Sequence, residues 1–218
     1  MSATRDLFAA VDWAAQRLEL CAGAVVLRGF ACALESELAA AVRAGEAAAP
    51  FRHMVTPGGF RMSVAMTNCG AYGWVSTPSG YRYDALDPVS GARWPPMPEP
   101  FARLARDAAA AAGFAGFAPD ACLINRYEPG ARLTLHQDRD ERDFGQPIVS
   151  VSLGVPAVFL FGGLKRKEPA LRVPVEHGDV VVWGGPARLR YHGVATLAEA
   201  QHAFAGAQRI NLTLRRAL

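Results

Sequence analysis

The chain has 218 residues, 51 % of them hydrophobic, with four cysteines and a formal net charge of +3. That length favours one domain with a sizeable core and needs no disulfide or metal to staple it. The small positive surplus permits an anionic partner without demanding one, and Cys21, Cys32, Cys69 and Cys122 stand singly, against a zinc knuckle or a disulfide framework.

In chain order, the opening MSATRDLFAAVDWAAQRLEL has charge interrupting each apolar run, so it lacks the apolar core of a signal peptide. No segment approaches a membrane span, and a cytoplasmic protein is expected. GAVVLRGF, Gly23 to Phe30, reads as a strand, and Leu34 to Ala48 as a helix, so residues 1–50 form a scaffold. From Phe51 to Pro100 short β-prone pieces alternate with TPGG, NCG, PSG and PPMPEP, the texture of hairpins and exposed loops carrying aromatics, and a lid is expected there. FARLARDAAAAAG, Phe101 to Gly113, reads as a helix ended by its glycine, with Phe101, Leu104 and Ala108 on one face, and 101–116 is a supporting helical segment.

From Phe117 onward the chain breaks into DACLINRYE, ARLTLHQD, QPIVSVSLG, PAVFLFGG, LRVPVE, DVVVWGG, LRYHGV and QRINLTLRR, with no helix between them. Eight short strands of this kind predict a double-sheet jelly roll, cupin-like, with a mouth at one end for a ligand; residues 117–218 are its core. The expected fold class is therefore mainly β with flanking helices.

Within LHQDRDE, His136 and Asp138 sit two apart, so on a strand both side chains point to one face and converge. An ordinary polar strand end would look the same. A third ligand must come from elsewhere. His177 in EHGD reads as turn chemistry, while His53 and His202 lie in loops. His192 in LRYHGV falls late on a predicted barrel strand and can return to the mouth. Two imidazoles and one carboxylate on one face of a metal leave open positions on the other, the arrangement of non-haem Fe(II) oxygenases.

In RINLTLR, Arg209, Asn211, Thr213 and Arg215 alternate with Ile210, Leu212 and Leu214. If the apolar set packs outward, two arginines point into the barrel, costly to desolvate unless an anion with more than one carboxylate meets them. Asn125 and Tyr127 of LINRY alternate likewise and supply further donors. A solvated basic edge strand is the other reading.

FRHMVTPGGFRMSVAMTNCGAYGW, PDACLINRYEPGARLTLHQDRDE, PIVSVSLGVPAVFLFGGLKR, VEHGDVVVWGG, YHG and RINLTLR, in this order, strongly resemble the AlkB family of Fe(II)- and 2-oxoglutarate-dependent dioxygenases that repair alkylated nucleic acid, the bacterial branch in particular. The resemblance implies a double-stranded β-helix core with an N-terminal nucleotide-recognition lid. It implies His136, Asp138 and His192 as iron ligands, and Asn125, Tyr127, Arg209, Asn211 and Arg215 as 2-oxoglutarate contacts. It implies that Trp74 stacks on a flipped base, that Tyr81 and Tyr83 hold backbone and base, and that Asp140 and Arg166 line the base pocket. Read without it, the three aromatics could equally pack within a hairpin. Arg139 stands where the family commonly has Lys, which implies a phosphate or sugar contact of altered geometry.

The expected activity is oxidative demethylation of 1-methyladenine and 3-methylcytosine in single- or double-stranded DNA, with RNA left open. It consumes O2 and 2-oxoglutarate and releases succinate, carbon dioxide and formaldehyde. Because a methyl within a duplex is inaccessible, the base must be extruded or met in a single strand. A single-domain monomer acting without a membrane is expected. The rivals are a cupin-type metal-dependent hydrolase or isomerase, which would not need the inward arginines, and a non-catalytic nucleic-acid-binding jelly roll.

Overall fold

A computed structural model describes residues 17–218, so most of the opening segment read for a signal peptide lies outside the described residues. In chain order the elements begin β1 (Arg17–Cys21), β2 (Ala24–Leu27), α1 (Glu35–Ala48), β3 (Arg52–Val55), β4 (Arg61–Gly70), β5 (Gly73–Thr77), β6 (Gly80–Asp84) and α2 (Glu99–Ala111). There follow β7 (Ala121–Tyr127), β8 (Leu133–His136), β9 (Ile148–Gly154), β10 (Ala157–Phe161), β11 (Leu171–Val175), β12 (Val180–Trp183), β13 (His192–Val194) and β14 (Arg209–Arg215). One sheet has the order β1-β2-β12-β9-β14-β7-β4-β3, a second β11-β10-β13-β8, and β5-β6 stands apart as a third. The two larger sheets form an antiparallel double-stranded β-helix, the jelly roll expected from the strand pattern.

The large sheet is buried on both faces, and the sequence alternates accordingly. Val25, Leu27, Ile124, Val149, Val151, Val180, Val182, Ile210, Leu212 and Leu214 turn toward α1 and α2. Their neighbours Val26, Leu123, Tyr127, Ile148, Val181 and Trp183 turn the other way, against Phe159, Phe161, Val173 and Val194 of the small sheet. Strands such as VVVW therefore read as unbroken apolar runs although each residue has a definite side. α2 buries Phe101, Leu104, Ala105, Ala108 and Ala109, one stripe at helical spacing. Burying Phe101 and Leu104 contributes about 1.5–3 kcal/mol each.

α2 starts before Phe101, with Pro100 in its first turn. It stops where the sequence predicts. Gly113 at φ +92° lets its own N–H reach the Ala110 carbonyl and the Phe114 N–H reach that of Ala109, capping the last turn.

The stretch 51–100, expected as a lid, divides in the structure. β4 pairs with β7 from Ala65↔Arg126 to Gly70↔Ala121, and Val64 to Gly70 are all buried, so this part is main sheet. The turn-rich punctuation marks the ends of hairpins, which a sheet strand has as readily as a loop. Only the β5–β6 hairpin leaves the sheet. β1, half exposed at the sheet edge and paired with β2, has no counterpart among the strands expected from sequence.

Candidate active site

β8 and β13 are adjacent in the small sheet, and His192 is the direct cross-strand partner of His136. That pairing brings a late histidine beside the H-x-D pair. The approach is close because residue 193 is glycine: a Cβ there would lie 2.5 Å from the Leu133 carbonyl oxygen. Candidate ligand atoms of His136, Asp138 and His192 all lie within 4.8 Å of one another, and no other such group of three occurs among the described residues.

The orientation of both rings suits a metal. His136 Nδ1 is 2.9 Å from the Thr134 carbonyl and His192 Nδ1 is 3.1 Å from that of Arg190. A carbonyl can only accept, so each Nδ1 carries the proton and each Nε2 offers its lone pair. Those Nε2 atoms stand 3.6 and 3.5 Å from the two Asp138 carboxylate oxygens. Burial, reinforced by the neighbouring His192, pushes the His136 pKa down to about 4, which keeps the imidazole neutral and able to ligate. Burial alone would raise the Asp138 carboxyl, but the Arg215 guanidinium outweighs it and holds the group well below the usual carboxylate range.

These residues open onto a cavity of about 940 Å³ whose lining includes Asn125, Tyr127, Arg209, Asn211, Thr213 and Arg215. With Ile210, Leu212 and Leu214 packed against the helices, the alternate residues of β14 face inward, as the sequence predicts. The two arginines then differ. Arg215 is already paired, its Nε 2.9 Å from Asp138 Oδ2 and 3.3 Å from Glu141 Oε1, with Nη1 3.3 Å from the Tyr83 hydroxyl. Arg209, 2 % exposed, lies 5.0 Å over the Tyr127 ring and donates from Nη2 to Ser152 Oγ at 2.9 Å. Its Nε and Nη1 have no hydrogen-bond partner among the described residues, nor does Asn125 Oδ1. Among the described residues no carboxylate pairs with Arg209. A buried guanidinium with idle donors in a cavity is built to meet an anion that enters from outside.

At the mouth, Trp74 and Tyr81 stack at 5.1 Å, and Trp74 Nε1 donates to Asp140 Oδ2 at 2.8 Å. Arg139, Asp140 and Arg166 also border the cavity, with Arg166 5.9 Å over the Tyr191 ring. Tyr83 turns away from the mouth: its hydroxyl donates to Glu141 Oε1 at 2.7 Å, and burial raises its pKa well above the ordinary phenol value.

The histidines set aside on sequence have structural partners. His177 Nδ1 accepts the Gly154 N–H at 2.9 Å and its ring stacks on His202 at 4.5 Å, while His53 Nδ1 meets the Met62 carbonyl at 2.8 Å. Sequence reasoning passed over Glu141 and Arg188, a buried ion pair at 2.9 Å beside the metal-type cluster. A buried acid within the charge-dense HQDRDE run has no local signature.

Comparison with known proteins agrees with this geometry. Residues 23–215 match the family model of the 2OG-Fe(II) oxygenase superfamily. The chain is 56 % identical over 212 residues, 97 % of each chain, to the alpha-ketoglutarate-dependent dioxygenase AlkB of Salmonella typhimurium. It is 54 % identical over 213 residues, again 97 % of each, to that of Escherichia coli. The solved structure of OsALKBH1 superposes with a TM-score of 0.79 at 30 % identity, over 92 % of this chain and 99 % of that one. With identity this high across nearly the whole length, and the triad and the idle arginine in one cavity, the chain belongs to the AlkB family of Fe(II)- and 2-oxoglutarate-dependent dioxygenases.

Proposed function

We propose that this protein oxidatively demethylates 1-methyladenine and 3-methylcytosine in DNA, single- or double-stranded, with His136, Asp138 and His192 as the iron ligands. His136 and His192, whose Nδ1 atoms face backbone carbonyls and leave Nε2 free, and the ionised carboxylate of Asp138 would hold a ferrous ion from one side. When bound, the iron supplies the oxygen activation by which 2-oxoglutarate is spent to oxidise a C–H bond of the N-methyl group.

The observation that carries the reading is Arg209, buried in the same cavity as the triad with two donors idle. It holds the distal carboxylate of 2-oxoglutarate, and Asn125 and Tyr127, cross-strand partners of Asn211 and Arg209, complete the contact. Asn211, bound to Ser150 Oγ at 2.8 Å, shapes the floor between the two ends of the cosubstrate. Arg215 keeps Asp138 ionised and reaches the metal end of the cosubstrate. A cupin-type hydrolase or isomerase would have no use for Arg209.

At the mouth, Trp74 offers a face to the extruded base, with Tyr81 beside it holding the strand and Tyr83 fixing the hairpin from beneath. Asp140 and Arg166 meet the polar edge of the base, and Asp140 favours the positive charge that these lesions carry. Arg139, exposed at the rim, reaches a phosphate or sugar.

All of these groups come from one chain, which supports a single-domain enzyme acting as a monomer. No helix among the described residues is long and apolar enough to cross a membrane, and the four unpaired cysteines suit a reducing cytoplasm. The test is anaerobic reconstitution with Fe(II) and 2-oxoglutarate, then air and a methylated oligonucleotide, with formaldehyde measured. Formaldehyde should appear with each; 2-oxoglutarate turnover without it would sink the substrate assignment.

A further inference from the structure

The segment after β8 carries Asp138 and Asp140, yet residues 137–147 form no helix or strand. Little of its backbone is tied down locally; Arg142 N–H reaches the Ala217 carbonyl at 3.0 Å. What grips it is Arg188, 3 % exposed and just past the short turn that follows β12. Arg188 donates from Nη1 to the Asp138 carbonyl at 2.7 Å, from Nε to the Gln146 carbonyl at 3.0 Å, and from Nη2 to Glu141 Oε2 at 2.9 Å. Its guanidinium also lies 5.4 Å over the Phe144 ring. Next to it, the Leu189 carbonyl accepts the side chain of Gln137 at 2.5 Å. The segment from Arg188 runs directly into His192, so the two stretches that carry the metal-type ligands are tied to each other here.

Glu141 links this grip to the hairpin. The same carboxylate that takes Arg188 accepts the Tyr83 hydroxyl at 2.7 Å, and Arg215, 3.3 Å from it, binds the Asp138 carboxylate. A guanidinium this deeply buried adds little net stability over an apolar side chain of the same shape; what it gives is one fixed geometry. Its planar fork serves three acceptors from three separate nitrogens, a spread that the single ammonium of a lysine does not reproduce.

We propose that Arg188 is a positioning residue: holding the main chain at Asp138 and Gln146 and the carboxylate of Glu141, it sets where Asp138 stands relative to His192 and how the Tyr83 hairpin docks. The role rests on the reading of His136, Asp138 and His192 as the metal site. It predicts that the metal and the nucleic acid feel the loss of Arg188, and that 2-oxoglutarate does not, because Arg209 is held separately by Ser152 and Tyr127.

The test compares the parent with Arg188→Lys and Arg188→Met for Co(II) affinity by its absorption bands, thermal melting, half-saturation by 2-oxoglutarate, and KM and kcat for a methylated oligonucleotide. Both variants should melt as cooperative folded proteins and bind Co(II) about 10–100-fold more weakly, the usual loss when a group supporting a metal ligand is removed. Their oligonucleotide KM should rise while 2-oxoglutarate half-saturation stays at the parent value. Full rescue by Lys would overturn the proposal, since charge alone would then suffice. So would a Lys variant that fails to fold, which makes Arg188 a stability element, or one in which 2-oxoglutarate half-saturation worsens in step with Co(II) affinity. Should the Met variant not fold, the Lys variant decides. A parent protein that neither binds Co(II) nor yields formaldehyde breaks the functional reading; a competent parent with unaffected variants breaks only the role of Arg188.

Discussion

The floor of the cavity and the hairpin at its mouth are built in opposite ways. β14 is hydrogen-bonded to β7 on one side and β9 on the other, so Arg209, Asn211 and Arg215 project from a strand that cannot shift without breaking two ladders. The β5–β6 hairpin is a sheet of its own. It is joined to the rest by separate polar contacts: Asn68 with the Trp74 backbone at 3.0 Å in both directions, Ser76 with the Val55 carbonyl at 2.6 Å, and Tyr83 with Glu141 at 2.7 Å. Apolar anchorage comes from a small cluster of Val75 with Trp94 and Ala49 and from Trp74, which packs against the core between the sheets. The groups proposed to take the cosubstrate thus stand on a doubly paired strand, whereas the aromatics proposed to meet the base stand on a separate hairpin with fewer ties to the body.

The contrast breaks hardest at the triad. His136→Ala, Asp138→Ala or His192→Ala should each abolish formaldehyde release, because one lost ligand of three removes both affinity and facial geometry. His177→Ala, which loses contacts to Gly154, His202, Phe204 and Glu35 away from the triad, should keep its metal, and full activity in any triad variant would void the assignment.

At the hairpin the expected effect is smaller and confined to substrate. Trp74→Ala should weaken binding of a methylated oligonucleotide by roughly 1–3 kcal/mol, the worth of base stacking, while uncoupled consumption of 2-oxoglutarate survives. Unfolding of that variant would mean that Trp74 is a packing residue.

The floor itself can be split. Arg209→Lys should raise the 2-oxoglutarate concentration for half-maximal rate about tenfold, or ~1.4 kcal/mol, with metal affinity unchanged. Arg215→Lys should weaken metal binding as well, since that arginine is bonded to Asp138. Identical profiles for the two would show that the difference between an idle and a paired guanidinium has no functional meaning.

The mildest test is pH. His136 has a folded pKa of about 4 against an ordinary 6.5, so between those values the unfolded chain takes up a proton that the folded chain refuses. The metal-free protein should therefore lose melting temperature as pH falls from about 6.5 toward 4 and show no contribution from this group above that range. His136→Asn should flatten the decline, and an unchanged slope would place the acid sensitivity elsewhere.

Much of the chamber was legible from sequence because strand periodicity is a local property. RINLTLR alone says that Arg209, Asn211, Thr213 and Arg215 share a face, and that holds in the cavity; His136 and Asp138 converge as H-x-D suggests, but β8 ends at His136 and Asp138 is held from the coil beyond it by Arg215 and Arg188. The stop of α2 at Gly113 was equally local. The lid was less legible, because turn residues mark where a strand ends and not which sheet it joins, and so β4 belongs to the main sheet.

What only the tertiary structure decided is who partners whom. Nothing local separates Arg209 from Arg215, two like residues on one face. Arg215 meets Asp138 and Glu141 from a distant loop, while Arg209 meets a serine hydroxyl and an aromatic face and is left with idle donors. Tyr83 alternates with Tyr81 on one strand, yet its hydroxyl is drawn inward by Glu141. Arg188 likewise gains its meaning from acceptors some fifty residues earlier in the chain. Backbone geometry fixes the direction of a side chain within a few residues, but the partner of a buried charge arrives from whichever segment the sheets bring alongside it.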